Sequence, residues 1–289
     1  ENQLTTAFAS SGRPDALHHT VVSKTWDDCG HGTRIAGLAT APLETQTITP
    51  RKIAGVAWGA DLTTVKYNGG VILGAGQTTE LVAAIDVAVA DGARVINLAL
   101  GTPLWSSFVA DNIDRIYANT QTIFVAAAGT FVKDVQFPAK MYQVLAVSIV
   151  KSKDPANPQA GYEMYSGGTP ESAYGPEVDF AAVNGDGGVP TTGGGKKGLV
   201  QLGGSSSGTA HLSGIIALVW GKDPTATRAQ VIDRLRKSGS LKLIDGEKAL
   251  VPGYSAKVGY GVPDAYVAAG GSRTASISGP STVLPGASY

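Results

Sequence analysis

The stretch "TTELVAAIDVAVADGARVINLALG", residues 78–101, decides the fold. Its first half places apolar residues at Leu81, Ala84, Ile85 and Ala88, the spacing of one helix face, and then meets Gly92, a residue suited to ending a helix. Its second half, "ARVINLALG" (93–101), is a nearly continuous apolar run, as expected of a parallel strand covered on both faces. Similar short runs lie to either side: "IAGVAWGADLTTVKY" (53–67), "QTIFVAAAG" (121–129) and "QVLAVSIV" (143–150). Strand, helix and strand in succession predict an α/β fold with a mostly parallel central sheet, its functional loops at the C-terminal strand ends.

Further along, a glycine-rich tract from 160 to 205 carries "AYGPEVDFAA" (173–182) and reads as short strands and loops. Helical periodicity returns in "SSGTAHLSGIIALVWG" (206–221) and in "TRAQVIDRLRKSG" (227–239), where Arg234, Arg236 and Lys237 fall in the last turns and suit the helix dipole. From 271 the pattern changes to small, β-branched and turn residues, predicting a linker and the truncated start of a β-sandwich-like module over 271–289. Residues 1–270 then form the main domain.

The 289 residues can bury a large core. The 23 basic and 23 acidic side chains cancel without forming blocks, which argues against nucleic acid or a membrane surface as partner. With 43% hydrophobic residues the chain should fold, and its 38 glycines imply tight turns and close backbone contacts. The single cysteine, Cys29, excludes an internal disulfide framework and is expected to be packed. Apolar runs such as "IIALVW" (215–220) are too short to span a bilayer.

Two segments carry residues fit for chemistry. "GGSSSGTAHLSG" (203–214) sets three serines in a glycine frame, and Gly204 to Gly208 spell G-x-S-x-G. An esterase elbow would need the order serine, acid, histidine, yet beyond Ser206 the only histidine is His211, five residues on in the same predicted helix, where it cannot turn back onto the hydroxyl. His211 therefore reads as a helix-packing residue, and a base for Ser206 must come from earlier in the chain. His31, flanked by glycines in "DDCGHGTRIAGLAT" (27–40), is the best placed of the four histidines.

These segments resemble the subtilisin-like serine peptidases. "GHGTRIAG" (30–37) is similar to the family's histidine motif, and "GSSSGTAHLSG" (204–214) to its serine motif, with Ser206 at the nucleophile. "GVAWGADLTTVK", "VINLALG", "VAAAG", "FPAKMYQVLAVSIV" and "VGYGVPDAYVAA" follow the family order over roughly residues 20–270. The resemblance implies a three-layer subtilisin-like fold and a secreted, monomeric serine endopeptidase acting on polypeptides through an acyl-enzyme. It implies His31 and Ser206 as catalytic, Ala99, Leu100 and Gly101 as a strand pairing with substrate, and Ala127, Ala128 and Gly129 as walls of the pocket for the residue before the cut. Family members often bind structural calcium, but no D-x-D-x-D-G loop assigns a site, and no other cofactor is expected.

The pattern departs from the family in three places. No aspartate sits in a D-[ST]-G setting: Asp15 lies in the turn-like "SGRPDALHH", and Asp27 and Asp28 read as helix caps. "ENQLTTAF" resembles the segment just past the family's aspartate strand, so the chain is expected to begin immediately downstream of that strand. Thr130 takes the place of the oxyanion asparagine. Ala210 replaces the proline of the serine motif, and Arg34 the second histidine after "HGT". Two alternatives stay open: an inactive scaffold that binds peptides along 99–101, and an esterase using the same serine.

Overall fold

The computed structural model describes residues 3–9, 17–20, 30–42, 53–68, 77–153, 162–164, 172–184, 188–193, 198–239 and 253–272. Asp15, Asp27, Asp28, Cys29 and all but the first two residues of the module expected over 271–289 lie outside them. Residues 78–101 fold as the hydrophobic pattern predicts. Helix α2 (Thr78–Ala90) buries Leu81, Ala84, Ile85 and Ala88, Gly92 follows at φ 83°, and β4 (Val95–Leu98) is buried throughout.

The elements preceding these are β1 (Gln3–Ala9), β2 (Leu17–Thr20), α1 (His31–Thr40) and β3 (Asp61–Asn68). Those following are α3 (Ser107–Asn119), β5 (Ile123–Ala127), β6 (Val144–Ser152), β7 (Tyr162–Met164), β8 (Val178–Val183), β9 (Val189–Thr192) and β10 (Leu199–Leu202), then α4 (Ser205–Lys222), α5 (Arg228–Ser238) and α6 (Ala265–Ala268). Eight strands form one sheet in the order β2-β3-β1-β4-β5-β6-β7, with β8 also on β6. Strands β4, β5, β6 and β8 run parallel, as do β2 and β3, while β7 is antiparallel to β6. The centre is less regular than the apolar runs imply, because β1 sits antiparallel between β3 and β4.

Alternation along the strands makes the three layers. Ile96, Leu98, Phe124, Ala126, Val144 and Ala146 face one core with α2 and α3, whereas Val95, Ile123, Val125, Leu145 and Val147 face another with α1, α4 and α5. A sheet covered on both sides has no solvent face to mark with polar residues, so its strands read as continuous apolar runs. Helix α5 opens with a capping box between Thr227 and Gln230. Its basic residues find specific partners beyond the dipole: Arg234 pairs with Asp223 at 2.6 Å, Lys237 pairs with Asp233, and Arg236 lies over the Tyr260 ring.

Helix α1 is held to the β9–β10 hairpin by backbone acceptors. Thr191 Oγ1 donates to the Arg34 carbonyl at 2.7 Å and Thr192 Oγ1 to that of Thr33 at 3.1 Å. The approach requires a glycine on the helix, since a Cβ at Gly37 would stand 2.0 Å from Thr192 Oγ1 and 2.8 Å from Thr191 Oγ1. Gly37→Ala is expected to lower stability by about 1–3 kcal/mol, the usual cost of overpacking, despite alanine's better helix propensity. Urea denaturation measures it, and an unchanged midpoint would show that the hairpin yields freely.

Candidate active site

Helix α4 starts abruptly because Gly204 adopts φ 80°, ψ 176°, a conformation open to glycine. The next three residues, all serines, have different surroundings. Ser205 is 1% exposed and its hydroxyl accepts from the Gly129 N–H at 3.1 Å. Ser207 is fully buried and donates to the Gly204 carbonyl at 2.7 Å. Ser206, partly exposed, faces a cleft of about 620 Å³ and donates a long 3.4 Å hydrogen bond to the Ala99 carbonyl. Of the three, Ser206 alone is not buried, although Ser205 also borders the cleft.

His31 lines the same cleft. It is the first residue of α1, after Gly30 at φ 71°, and its Nε2 is shielded from solvent. Gly30 occupies the N-cap position, and Asp27 and Asp28, expected as caps, lie outside the described residues. The hairpin clamped to α1 ends at Leu202, two residues before Gly204, so one piece of chain connects the histidine-bearing helix to the start of the serine-bearing one.

Ala99, Leu100 and Gly101, just past the end of β4, form one wall of the cleft. Ala127 and Gly129 at the end of β5 form another, but Ala128 does not join them. As the middle residue of an extended segment it points the other way, fully buried in the core with α2 and α3. Thr130 lines the cleft with its hydroxyl engaged at Ser205.

The structure adds residues that the sequence motifs do not mark. Pro103, Phe131, Val132 and Gln136 also line the cleft, and Phe131, 69% exposed, holds φ 68°, unusual for a bulky residue. Gln136 lies between the two walls, 3.0 Å from where a Cβ on either Gly101 or Gly129 would stand. Phe131, Val132 and Gln136 come from the irregular segment after β5 and Pro103 from the one after β4, where no period reports which side chains turn inward.

His211 is remote from this chemistry. Its ring is enclosed beside Ala182, Val189, Leu212 and Ile215, and burial lowers its pKa from 6.5 to about 4, so it stays neutral near pH 7. Among the described residues no group of three or more His, Cys, Asp or Glu side chains could hold a metal ion, and no helix is long and apolar enough to cross a membrane.

The three-layer α/β fold thus carries a serine at one helix start and a histidine at another, both on one cleft at the C-terminal strand ends. The chain belongs to the subtilase family, whose peptidase S8 model matches residues 14–261. It is 31% identical over 220 residues to a thermostable alkaline protease of Halalkalibacterium halodurans, an alignment covering 74% of this chain and 53% of that protein. It is likewise 31% identical over 219 residues to a subtilisin of Bacillus pumilus, covering 74% of this chain and 71% of that one. Among solved structures, sphericase superposes with a TM-score of 0.67 at 22% identity over 88% of this chain and 92% of its own, a likeness in fold. The chain thus spans about half the length of the alkaline protease it matches.

Proposed function

We propose that this chain is the catalytic domain of a serine endopeptidase in which Ser206 is the nucleophile and His31 its general base. The observation that carries this reading is that the two side chains, far apart in sequence, line one cleft while Ser205 and Ser207 are buried. A serine hydroxyl becomes a useful nucleophile when an imidazole takes its proton. The same imidazole then protonates the leaving amine, and water hydrolyses the acyl-enzyme after a second proton transfer. The hydrogen bond that Ser206 makes to the Ala99 carbonyl is long and weak at 3.4 Å, so it does little to hold the hydroxyl back from an imidazole across the cleft.

An extended polypeptide is the substrate that suits this cleft. The segment 99–101 continues the line of β4 and offers its backbone to a strand laid alongside, recognition that tolerates many sequences. The pocket beyond it, walled by Ala127, Gly129, Val132 and Phe131, takes an apolar or aromatic side chain before the scissile bond. The chemistry draws on side chains, backbone and water, with calcium at most a structural ion, and the enzyme acts as a monomer outside the cell. A fluorophosphonate probe that attaches to Ser206, located by peptide mapping, tests the assignment; labelling elsewhere, or none, overturns it. The bond from Ser206 to Ala99 also favours a second reading, a resting scaffold that binds peptides without cutting them. That scaffold would bind an extended peptide and leave both peptide and ester substrates intact, whereas an esterase would cleave the ester alone.

Gln136 supplies a prediction on selectivity. The Gln136 amide donates to the Asp134 carbonyl at 2.6 Å; a carboxylate in its place cannot make that bond and would turn toward a cationic incoming side chain, where a partly desolvated charge pair contributes about 1–4 kcal/mol. Gln136→Glu is expected to raise kcat/KM for lysine or arginine relative to phenylalanine before the cut by about tenfold or more. Matched peptide substrates measure this, and an unchanged ratio would remove Gln136 from the pocket.

A further inference from the structure

The segment after β5 and the first turn of α4 are joined by a closed set of hydrogen bonds. Thr130 Oγ1 accepts from the Ser205 N–H at 2.8 Å and shares a second bond, 3.0 Å long, with Ser205 Oγ. Ser205 Oγ in turn accepts from the Gly129 N–H at 3.1 Å. The contact is close enough that a Cβ at Gly204 would stand 2.8 Å from Thr130 Oγ1. On its other side the same segment is anchored to Ser172 and Ala173, with the Ala173 N–H donating to the Gly129 carbonyl at 3.0 Å.

We propose that Thr130 is a positioning residue, a latch that fixes the first turn of α4 and so aims the Ser206 hydroxyl, and is not itself a donor to the oxyanion. The inference rests on the serine peptidase reading and deepens it. A β-branched side chain has few rotamers, and this one is held through two atoms of Ser205, the residue immediately before the nucleophile. First-turn amides of a helix have no acceptor within it and point out of its N-terminal end. Thr130 occupies that of Ser205, so its hydroxyl oxygen is committed to the start of α4.

A double-mutant cycle on the whole chain, with Thr130→Val, Ser205→Ala and their combination, tests the latch. Thr130→Val is expected to lower kcat by about 10- to 100-fold with KM nearly unchanged, the effect of misplaced reacting atoms. Ser205→Ala should lower it in the same way, the combination should be no worse than the poorer single variant, and Thr130→Ser should restore most of the rate. A direct oxyanion donor predicts near-wild-type turnover in Ser205→Ala and additive losses in the pair, and either result overturns the latch. Should Thr130→Val not fold, Ser205→Ala decides alone: wild-type kcat in it overturns the proposal. Amide hydrogen exchange at Ser205 reads the latch without catalysis, and should be faster in Thr130→Val and unchanged in Thr130→Ser. If the wild-type chain neither cleaves substrates nor reacts with a fluorophosphonate, the catalytic reading fails, and unchanged Ser205 protection in Thr130→Val would then overturn the latch as well.

Discussion

Ser206→Ala is expected to remove fluorophosphonate labelling completely and to bring hydrolysis of an extended peptide down to the background left by the cleft alone. His31→Ala should do nearly the same, because without the imidazole the hydroxyl has no acceptor for its proton. The two losses should not add. In subtilisin, a relative, removing the serine or the histidine alone costs about 2 × 10⁶ in kcat, about as much as removing the whole triad, since the groups act as a unit. The ratio between variants is therefore the informative quantity. Active-site titration and burst kinetics with an activated ester measure it, and an ester burst that persists in Ser206→Ala would end the assignment.

The second large effect is on stability against pH, where two buried groups act in opposite directions. Asp179 on β8 is partly exposed as a residue, but its carboxyl is enclosed. Burial raises its pKa from 3.8 to about 6, against the lowering influence of the Ala146 N–H, which donates to it at 2.9 Å, and of Arg236. With the folded pKa above the unfolded one, the favourable contribution is complete below about 3.8 and is lost as pH rises through about 6. His211 has the reverse sign. Its folded pKa of about 4 lies below the ordinary 6.5, so its contribution is complete above 6.5 and is lost as pH falls through 4. Each amounts to at most about 3 kcal/mol, and between pH 4 and 6 they largely cancel. Removing one exposes the other. In a Ser206→Ala background that prevents self-digestion, Asp179→Asn should gain stability relative to its parent as pH rises from 4 to 6, and His211→Gln should lose it. Urea denaturation across that range decides the matter, and slopes identical to the parent's in both variants would show that neither group titrates as its burial implies.

Much of the architecture was legible in the linear chain because its signals are periodic and local. Helix α2 announces itself through Leu81, Ala84, Ile85 and Ala88, and β4, β5 and β6 through apolar runs that only a sheet covered on both faces tolerates. The antiparallel placement of β1 was not legible, since pairing direction is set by neighbours distant in sequence. At the site, the glycine frame around Ser206 and the glycines beside His31 marked the segments where a backbone must bend or approach closely. Which wall residue faces the cleft is not written in those glycines: Ala128 is equivalent to Ala127 in type and setting until strand alternation turns it into the core.

By itself the amino-acid order determined the layered α/β fold, the helices bearing His31 and Ser206, and membership of the subtilase family, because each depends on residue type and short-range spacing. Only the tertiary structure decided that Ser205 and Ser207 are buried on either side of Ser206, what Thr130 holds, and that Gln136 and Phe131 stand in the cleft. Those outcomes depend on contacts between segments that the chain brings together only by folding. No local period encodes where a loop after one strand meets the first turn of a helix some seventy-five residues later.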